Sequence, residues 1–347
     1  MKNIILGICG SGQLSMMLCQ AAKKLEIKTI VLTDDKNGPA KNYCDEFFLC
    51  DLKEKNKIKE FALKADFVTL EFENFDYQTL KYIEEFVPVH PKPEINRVVQ
   101  NRKLEKEFFK SLSIPTAQYI YIENDKDLKK IEKLTPGILK SVEGGYDGHL
   151  SYRINSLSDI ENLNIDNKIK YIFEKKVDLQ KEISIIGSRY LDKKINLFSP
   201  FENFHQDQIL KKTTVPADVP IEITEKAKNY AEKILIKHDY IGVMAIEFFV
   251  DKKNNLIANE TASRVHNSGH ITLNNSNSSQ FDQHVRAVCN LEYKPLGEMK
   301  RGFMLNILGE DILKFRNSKI EKNKFFFDYE KKEIRPKRKM GHINIIE

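Results

Sequence analysis

Apolar positions along this chain recur with two alternating periods. Ile4 to Ile8 is a compact apolar run of strand length, closed by the turn Gly10-Ser11-Gly12, and Gln13 to Leu25 then spaces its apolar residues as a helix does. Lys28 to Leu32 returns to strand character and stops at Asp34, with further strand-like runs at Phe47 to Cys50, Asp66 to Phe72 and Val87 to His90. Alternating strands and helices predict a parallel, doubly wound α/β sheet over the first 95 residues or so. Glu94 to Leu112 reads as one long helix carrying Arg102 and Lys106 a turn apart, ended by Ile114-Pro115-Thr116.

Beyond that point the elements shorten. The expected division is residues 1–112, a small unit 113–172 built around Gly137 to Lys140 and the loop Gly144 to Gly148, and a third unit 173–347. The third holds a strand at Glu182 to Ile186 and a helix at Thr224 to Lys237 with Ala227, Tyr230, Ala231, Ile234 and Leu235 on one face. Tyr240 to Val250 and Leu256 to Asn259 are strand-like, and Lys252-Lys253-Asn254-Asn255 is a turn between them. A symmetric hairpin would oppose Asp251 to Leu256, Phe249 to Ala258 and Glu247 to Glu260, with opposed Cβ atoms about 5 Å apart. Two carboxylates so placed repel, so one is protonated or a cation lies between them. With Asn259 alongside, an oxygen-only ligand set favours Mg²⁺, completed by a phosphate-bearing substrate. A solvated pair without a ligand is the alternative. The run Arg264-Val265-His266-Asn267-Ser268-Gly269-His270 weighs against it, because it offers donors and acceptors but little packing volume.

The chain has 347 residues and a net charge of +6, which suits a small anionic substrate but is too weak to argue for nucleic acid. Five cysteines without a CxxC pair imply free thiols in a reducing compartment, and no apolar run is long enough for a membrane span. The expectation is a cytoplasmic protein.

Other segments carry chemistry more weakly. Gly10-Ser11-Gly12-Gln13-Leu14-Ser15 with Asp34 imitates a dinucleotide fingerprint, but Ser15 replaces its third glycine, so it argues for a phosphate near the turn more than for NAD. Gly144-Gly145-Tyr146-Asp147-Gly148, following Lys140, suits a lid whose amides wrap phosphate, or a plain turn. Phe173-Glu174-Lys175-Lys176-Val177 with Glu182 has the pattern of an adenine hinge or of a charged edge strand. Lys331 to Lys339 holds six basic residues and one acid, a phosphate clamp or a solvated face. His205-Gln206-Asp207 reads as a polar loop.

Taken together these motifs resemble the ATP-grasp superfamily and, within it, the 5-(carboxyamino)imidazole ribonucleotide synthetase family. The likeness runs in order from Gly10-Ser11-Gly12-Gln13-Leu14, through Gly144 to Gly148, His205-Gln206-Asp207, Gly242-Val243-Met244-Ala245, Asn259-Glu260 and Arg264 to His270, to Arg338-Lys339-Met340-Gly341-His342. It implies an ATP-grasp fold of mixed α/β and α+β character, with an N-terminal doubly wound domain and ATP gripped between the second and third domains. The implied activity is ATP- and bicarbonate-dependent carboxylation of aminoimidazole ribonucleotide by a homodimer. Matching positions imply ATP contacts at Arg102, Lys140, Gly145, Gly148, Glu174, Lys175, Lys176, Val177, Glu182 and Asn259, and Mg²⁺ (or Mn²⁺) ligands at Glu247 and Glu260. They imply catalytic roles for Tyr146, Asp147, Arg264 and His266, and ribotide contacts at Gln13, Leu14, Glu73, Asn267, Ser268, Arg286, Lys331 and Arg338.

Three departures stand out. His149-Leu150-Ser151 replaces the usual Lys or Arg, Gly and Gln after the lid glycines; Ser15-Met16 replaces Gly-Arg; and Ser263 replaces Pro. The competing readings are another ATP-grasp ligase such as a formate-using ribonucleotide transformylase, an NAD-dependent oxidoreductase, and a catalytically silent scaffold.

Overall fold

The computed structural model describes residues 4–144, 150–163, 165–166, 168–319 and 321–347. Its first layer is a four-stranded parallel sheet of β1 (Ile5–Cys9), β2 (Lys28–Thr33), β3 (Glu46–Leu49) and β4 (Phe67–Leu70), in the order β3-β2-β1-β4. The connecting helices are α1 (Gln13–Lys24), α2 (Lys55–Lys64) and α3 (Tyr77–Glu84). Val87 to His90 does not form the expected strand. It makes one bridge, Val68 to Val89, because Pro88 and Pro91 on either side have no N–H to continue a ladder.

The expected helix Glu94–Leu112 is two helices, α4 (Pro93–Gln100) and α5 (Arg102–Ser111). Asn101 between them is extended (φ −119°, ψ 105°), and its side chain accepts the amides of Lys103 and Leu104. An asparagine that caps a new helix competes with continuing the old one.

A second sheet, ordered β5-β8-β6-β7, contains β5 (Tyr119–Ile122), β6 (Gly137–Ser141), β7 (Ser151–Ile154) and β8 (Tyr171–Lys175), with the short α6 (Leu157–Glu161) beside it.

The third sheet is the largest. Its strands are β9 (Leu179–Arg189), β10 (Ile195–Leu197), β11 (Phe201–Gln206), β12 (Ile209–Val215), β13 (Gly242–Asp251), β14 (Leu256–Ala262), β15 (Gly302–Leu308), β16 (Lys324–Asp328) and β17 (Lys339–Ile346). They run β14-β13-β9-β11-β12-β15-β17-β16, with β10 on the side of β9. The helices of this region are α7 (Ile221–Lys237), α8 (Thr272–Asn275), α9 (Gln280–Val288) and α10 (Asp311–Arg316).

Period-two alternation divides the two faces of this sheet. Ile183 and Ile185 of β9, with Met244, Ile246, Phe248 and Val250 of β13, bury against Ala227, Ala231, Ile234 and Leu235 of α7. The opposite face begins apolar, with Ile186, Val243 and Ala245 packed under Phe281, Val285 and Val288 of α9 and Met16 to Leu18 of α1. This shared core seats the first sheet on the third. His284 pins the same junction: its Nδ1 accepts the Val243 amide at 3.0 Å, and its Nε2 meets Thr69 Oγ1 at 2.8 Å. Farther along, that face turns polar, and there the candidate site lies.

Candidate active site

The hairpin that carries the two carboxylates does not have the symmetric register. Val250 pairs with Leu256, Phe249 with Ile257 and Phe248 with Ala258, one residue off the expected pairs Asp251–Leu256 and Phe249–Ala258. Burial decides this: Phe248 and Ala258 are both 1 % exposed and share the α7 face. A bulge then shifts the register, so that Ile246 pairs with Thr261, and Asn259 and Glu260 together occupy the place opposite Glu247. The bulge thus gathers two carboxylates and an amide carbonyl at one spot. Burial first, and Glu260 second, push the Glu247 carboxyl up to about 7.

Oxygen donors with a negative charge held at such cost fit a hard divalent ion. Among the described residues no cluster of three or more His, Cys, Asp or Glu side chains is arranged to enclose a metal. A site of this kind takes its remaining ligands from phosphate or water, as Mg²⁺ sites do.

Neighbouring strands add to the same face. Ser184 of β9 is directly opposite Glu247, Glu182 is two residues along, and Asn203 of β11 is opposite Glu182. Glu182 Oε2 lies 2.5 Å from His205 Nδ1, a contact of ion-pair distance without aligned hydrogen-bond geometry. Burial lowers the His205 pKa, but Glu182 outweighs it and the net shift is upward. The short 3₁₀ turn Asn267–Ile271 sits above this surface, and His266, just before it, brings Nε2 to 3.3 Å from Glu247 Oε1.

Arg264 forms a two-pronged pair with Glu73, which follows β4, with Nη2 to Oε1 at 3.1 Å beside the Nε to Oε2 contact. Burial opposes ionisation of Glu73, but Arg264 holds its carboxyl below the usual range. Ser263 donates to Asn96 Oδ1 at 3.0 Å, tying the end of β14 to α4. Asn267 and Asn306 exchange amide hydrogen bonds at 3.0 and 2.7 Å.

On the other side of the hairpin, Glu174 lies between two lysines, 2.6 Å from Lys106 Nζ and 2.5 Å from Lys140 Nζ. Burial pushes the Glu174 carboxyl up, but Lys140 and Lys106 outweigh it and hold the carboxyl far below its usual range. Lys106 also donates to the main-chain oxygen of Asn259 at 3.1 Å, so α5, β8 and the bulge share one charge network. Arg102, at the start of α5, donates from Nη1 to Ser141 O at 2.8 Å. A cavity of about 460 Å³ opens between Thr116 to Gln118, Lys175 to Val177, and Asp251, Lys253 and Ile257 of the hairpin. The amides of Lys175 and Lys176 bond Gln118 O and Pro136 O and are therefore not available to a ligand.

Three family descriptions cover most of the chain. Residues 1–100 match the ribonucleotide synthetase preATP-grasp domain, 107–281 the ATP-grasp domain, and 302–347 the phosphoribosylaminoimidazole carboxylase C-terminal domain. The chain is 37 % identical to the N5-carboxyaminoimidazole ribonucleotide synthase of Brucella melitensis over 98 % of its own length and 96 % of the relative's. The chain belongs to the N5-carboxyaminoimidazole ribonucleotide synthase family. It is therefore an ATP-grasp ligase by family. An ADP complex of N5-carboxyaminoimidazole ribonucleotide synthetase superimposes with a TM-score of 0.94 at 34 % identity, covering 99 % of this chain and 93 % of the other. The Aspergillus clavatus N5-carboxyaminoimidazole synthase in complex with ADP and 5-aminoimidazole ribonucleotide gives 0.90 at 30 %, covering 100 % and 95 %.

Other family-derived positions in this synthase-family chain fall less tightly together. Gly145, Tyr146, Asp147 and Gly148 lie outside the described residues, as does His149. Gln13 and Leu14 open α1, where a phosphate was expected, but the turn is already served by a carboxylate: Glu71 accepts Gly12 N at 2.5 Å and Ser15 N at 3.1 Å. A buried acid at this helix start takes the amides a phosphate would use. Lys331 donates to Lys339 O at 2.8 Å, and Arg338 to Glu333 O at 2.9 Å, so the basic tail is folded onto itself. Arg286 lies on α9, where its charge only partly offsets the burial that pushes the Tyr190 hydroxyl up to about 12, and its Nε is buried without a hydrogen bond. Sequence reasoning gave no role to Lys106 or Glu105. Glu105 accepts both the amide and the hydroxyl of Thr261 at 2.6 Å, and the signal that could have found it was an acid at helical spacing among apolar core positions.

Proposed function

We propose that this protein uses ATP to carboxylate the exocyclic amine of 5-aminoimidazole ribonucleotide, giving N5-carboxyaminoimidazole ribonucleotide, ADP and phosphate. Bicarbonate supplies the carbon, through carboxyphosphate. The observation that carries the reading is the bulge at Asn259-Glu260, where the carboxylates suited to a metal-bound nucleotide abut His266 and the Arg264 segment on one sheet face. The relative that binds ADP and 5-aminoimidazole ribonucleotide matches the whole chain, which supports both halves of the site.

In this reading Lys140 and Arg102 offset charge on the nucleotide phosphates, the segment Glu174 to Val177 borders the base, and Glu182 faces the ribose. Mg²⁺, or Mn²⁺ in its place, held by Glu247 and Glu260 with Asn259 beside them, would stabilise negative charge on the transferring phosphoryl group. Arg264, kept in place by Glu73, offers a fixed positive charge beside the reacting carboxyl carbon. Tyr146 and Asp147 belong to the lid that excludes water from carboxyphosphate, and Asp147 accepts the proton of the attacking amine. Gln13, Leu14, Asn267, Ser268, Arg286, Lys331 and Arg338 face the ribotide. The working unit is three domains, 1–112, 113–172 and 173–347, in a cytoplasmic homodimer. Among the described residues no helix is long and apolar enough to cross a membrane.

ADP release from Mg-ATP at fixed bicarbonate, with and without 5-aminoimidazole ribonucleotide, is the test. Ribotide-dependent release is expected. Release without ribotide, or dependence on formate instead of bicarbonate, would overturn the proposal.

A further inference from the structure

A line of buried polar side chains crosses the large sheet and ends at Glu247. Thr213 Oγ1 donates to Asn203 Oδ1 at 3.0 Å, and Asn203 Nδ2 donates to Ser184 Oγ at 3.0 Å. Ser184 Oγ and Ser268 Oγ are 2.8 Å apart, and Ser268 Oγ is 2.8 Å from His266 Nδ1. Thr213, Ser184 and Ser268 are fully buried and Asn203 is 6 % exposed, so water does not serve these groups.

One hydrogen in this set cannot rotate. The main-chain N–H of Ser268 points at His266 Nδ1, at 3.3 Å, so the imidazole caps the 3₁₀ turn as an acceptor. An Nδ1–H would place two donors face to face. The upstream links agree in direction. Asn203 presents its amide to Ser184, so the Ser184 hydroxyl hydrogen is free to go to Ser268, and that of Ser268 goes on to Nδ1. The single ring hydrogen is left on Nε2, which lies 3.3 Å from Glu247 Oε1.

We propose that His266 is locked as the Nε2–H tautomer by the Thr213–Asn203–Ser184–Ser268 chain and turns that hydrogen toward one oxygen of Glu247, at ion-pair distance without aligned hydrogen-bond geometry. A nitrogen that carries this hydrogen neither accepts a substrate proton nor ligates a metal. His266 is then not the base of the reaction, and Ser184 and Asn203 are positioning residues acting through it. A buried serine pair has no need to persist for packing alone, since apolar groups of similar shape could replace both partners at little cost. The polar chain has a purpose if the orientation of Glu247 matters. That last link, from Glu247 to a divalent cation, rests on the proposed function; the tautomer does not.

The test is long-range ¹H–¹⁵N NMR on full-length protein labelled at its eight histidines, with His266 assigned by its loss in His266→Gln. The expected pattern at pH 7.5 is a protonated Nε2 and a bare Nδ1. Finding the Nδ1–H form, or a doubly protonated ring, would overturn the proposal. Asn203→Asp keeps the shape but cannot donate to Ser184, which turns the serine hydroxyls around. It is expected to introduce the second tautomer and to raise the Mg²⁺ concentration for half-maximal ADP release by about tenfold, the scale of a lost partner behind a metal ligand. The ribotide KM should stay within about twofold of its original value. If the tautomer and the Mg²⁺ requirement both stay unchanged in a variant that melts like the parent, the chain has no positioning role. An Nε2–H tautomer in a protein that shows no ribotide-dependent ADP release would overturn the proposed function and leave this assignment standing.

Discussion

Lys106 and Glu174 meet at 2.6 Å with side chains only 2 % and 8 % exposed, and this pair joins the helix before the small sheet to the strand that leaves it. Removing Glu174 leaves the buried Lys106 uncompensated, whereas an intact buried pair is close to neutral for stability. Glu174→Leu is therefore expected to lower unfolding stability by about 3 kcal/mol, measured by urea denaturation. Glu174→Leu combined with Lys106→Met should recover much of that loss, although Lys140 then lacks its acid, and Lys106→Met alone should cost less, because Lys140 still meets Glu174 at 2.5 Å. A Glu174→Leu variant as stable as the parent would mean that the pair is solvated in solution.

Stability should peak near neutral pH. Burial lowers the pKa values of His90 and His238 to about 4 and of His284 and His342 to about 3, and lowers His266 and His270 as well. Groups with depressed histidine values favour folding above their unfolded value of about 6.5 and lose that contribution as pH falls. Burial raises Glu247 and Glu105 to about 7, with Glu260 adding to both. Raised carboxyls favour folding at low pH and lose that contribution as pH climbs from about 4.5 through 7, and the upward-shifted His205 adds the same sign above 6.5. Melting temperature measured against pH should rise to a maximum near pH 6.5 and then decline. Glu260→Gln should flatten the decline. A steady rise to pH 8 would contradict the buried-acid part of this account.

Leu150 has a left-handed backbone, φ 55°, where the family pattern has glycine, and its carbonyl accepts the Ser141 amide at 3.0 Å. Non-glycine residues there cost roughly 1 kcal/mol. Leu150→Gly is accordingly expected to hold or raise the melting temperature despite the lost side chain. Leu150→Val, branched at Cβ, should lower it. The opposite order would show that this turn is relaxed.

Tyr43 donates to Glu330, and Asn42 reaches the same carboxylate at 3.4 Å, so the first domain grips the residue before Lys331. The Glu330 hydrogen bond is the main reason the Tyr43 pKa rises to about 12. Tyr43→Phe should raise the ribotide KM about threefold to tenfold, the worth of a hydrogen bond to a charged group at a partly exposed position. The ATP KM should not change. Equal changes in both constants would argue for a general loosening.

Much of the fold was legible because local pattern and tertiary outcome agree. The β1–α1–β2 unit, the apolar face of α7 and the β13–β14 hairpin all lie where spacing put them. Failures occurred where one polar residue or one bulge outweighed periodicity. Asn101 split a helix through its own side chain, and prolines stopped a strand at Val87 to His90.

The sequence by itself determined the family, through motifs in fixed order, and the nearness of Glu247 to Glu260, because a short turn leaves two neighbouring strands little choice but to pair. Tertiary structure alone decided the register. Phe248 and Ala258 had to enter the core against α7, and the resulting slip is absorbed by the bulge that places both Asn259 and Glu260 opposite Glu247. It also decided that Lys106, 153 residues before Asn259, would reach that residue's carbonyl, and that Glu71 would fill the phosphate-like turn at Gly12. Both are contacts between segments far apart in the chain, and no local period encodes which distant carboxylate or amine will meet a given strand end.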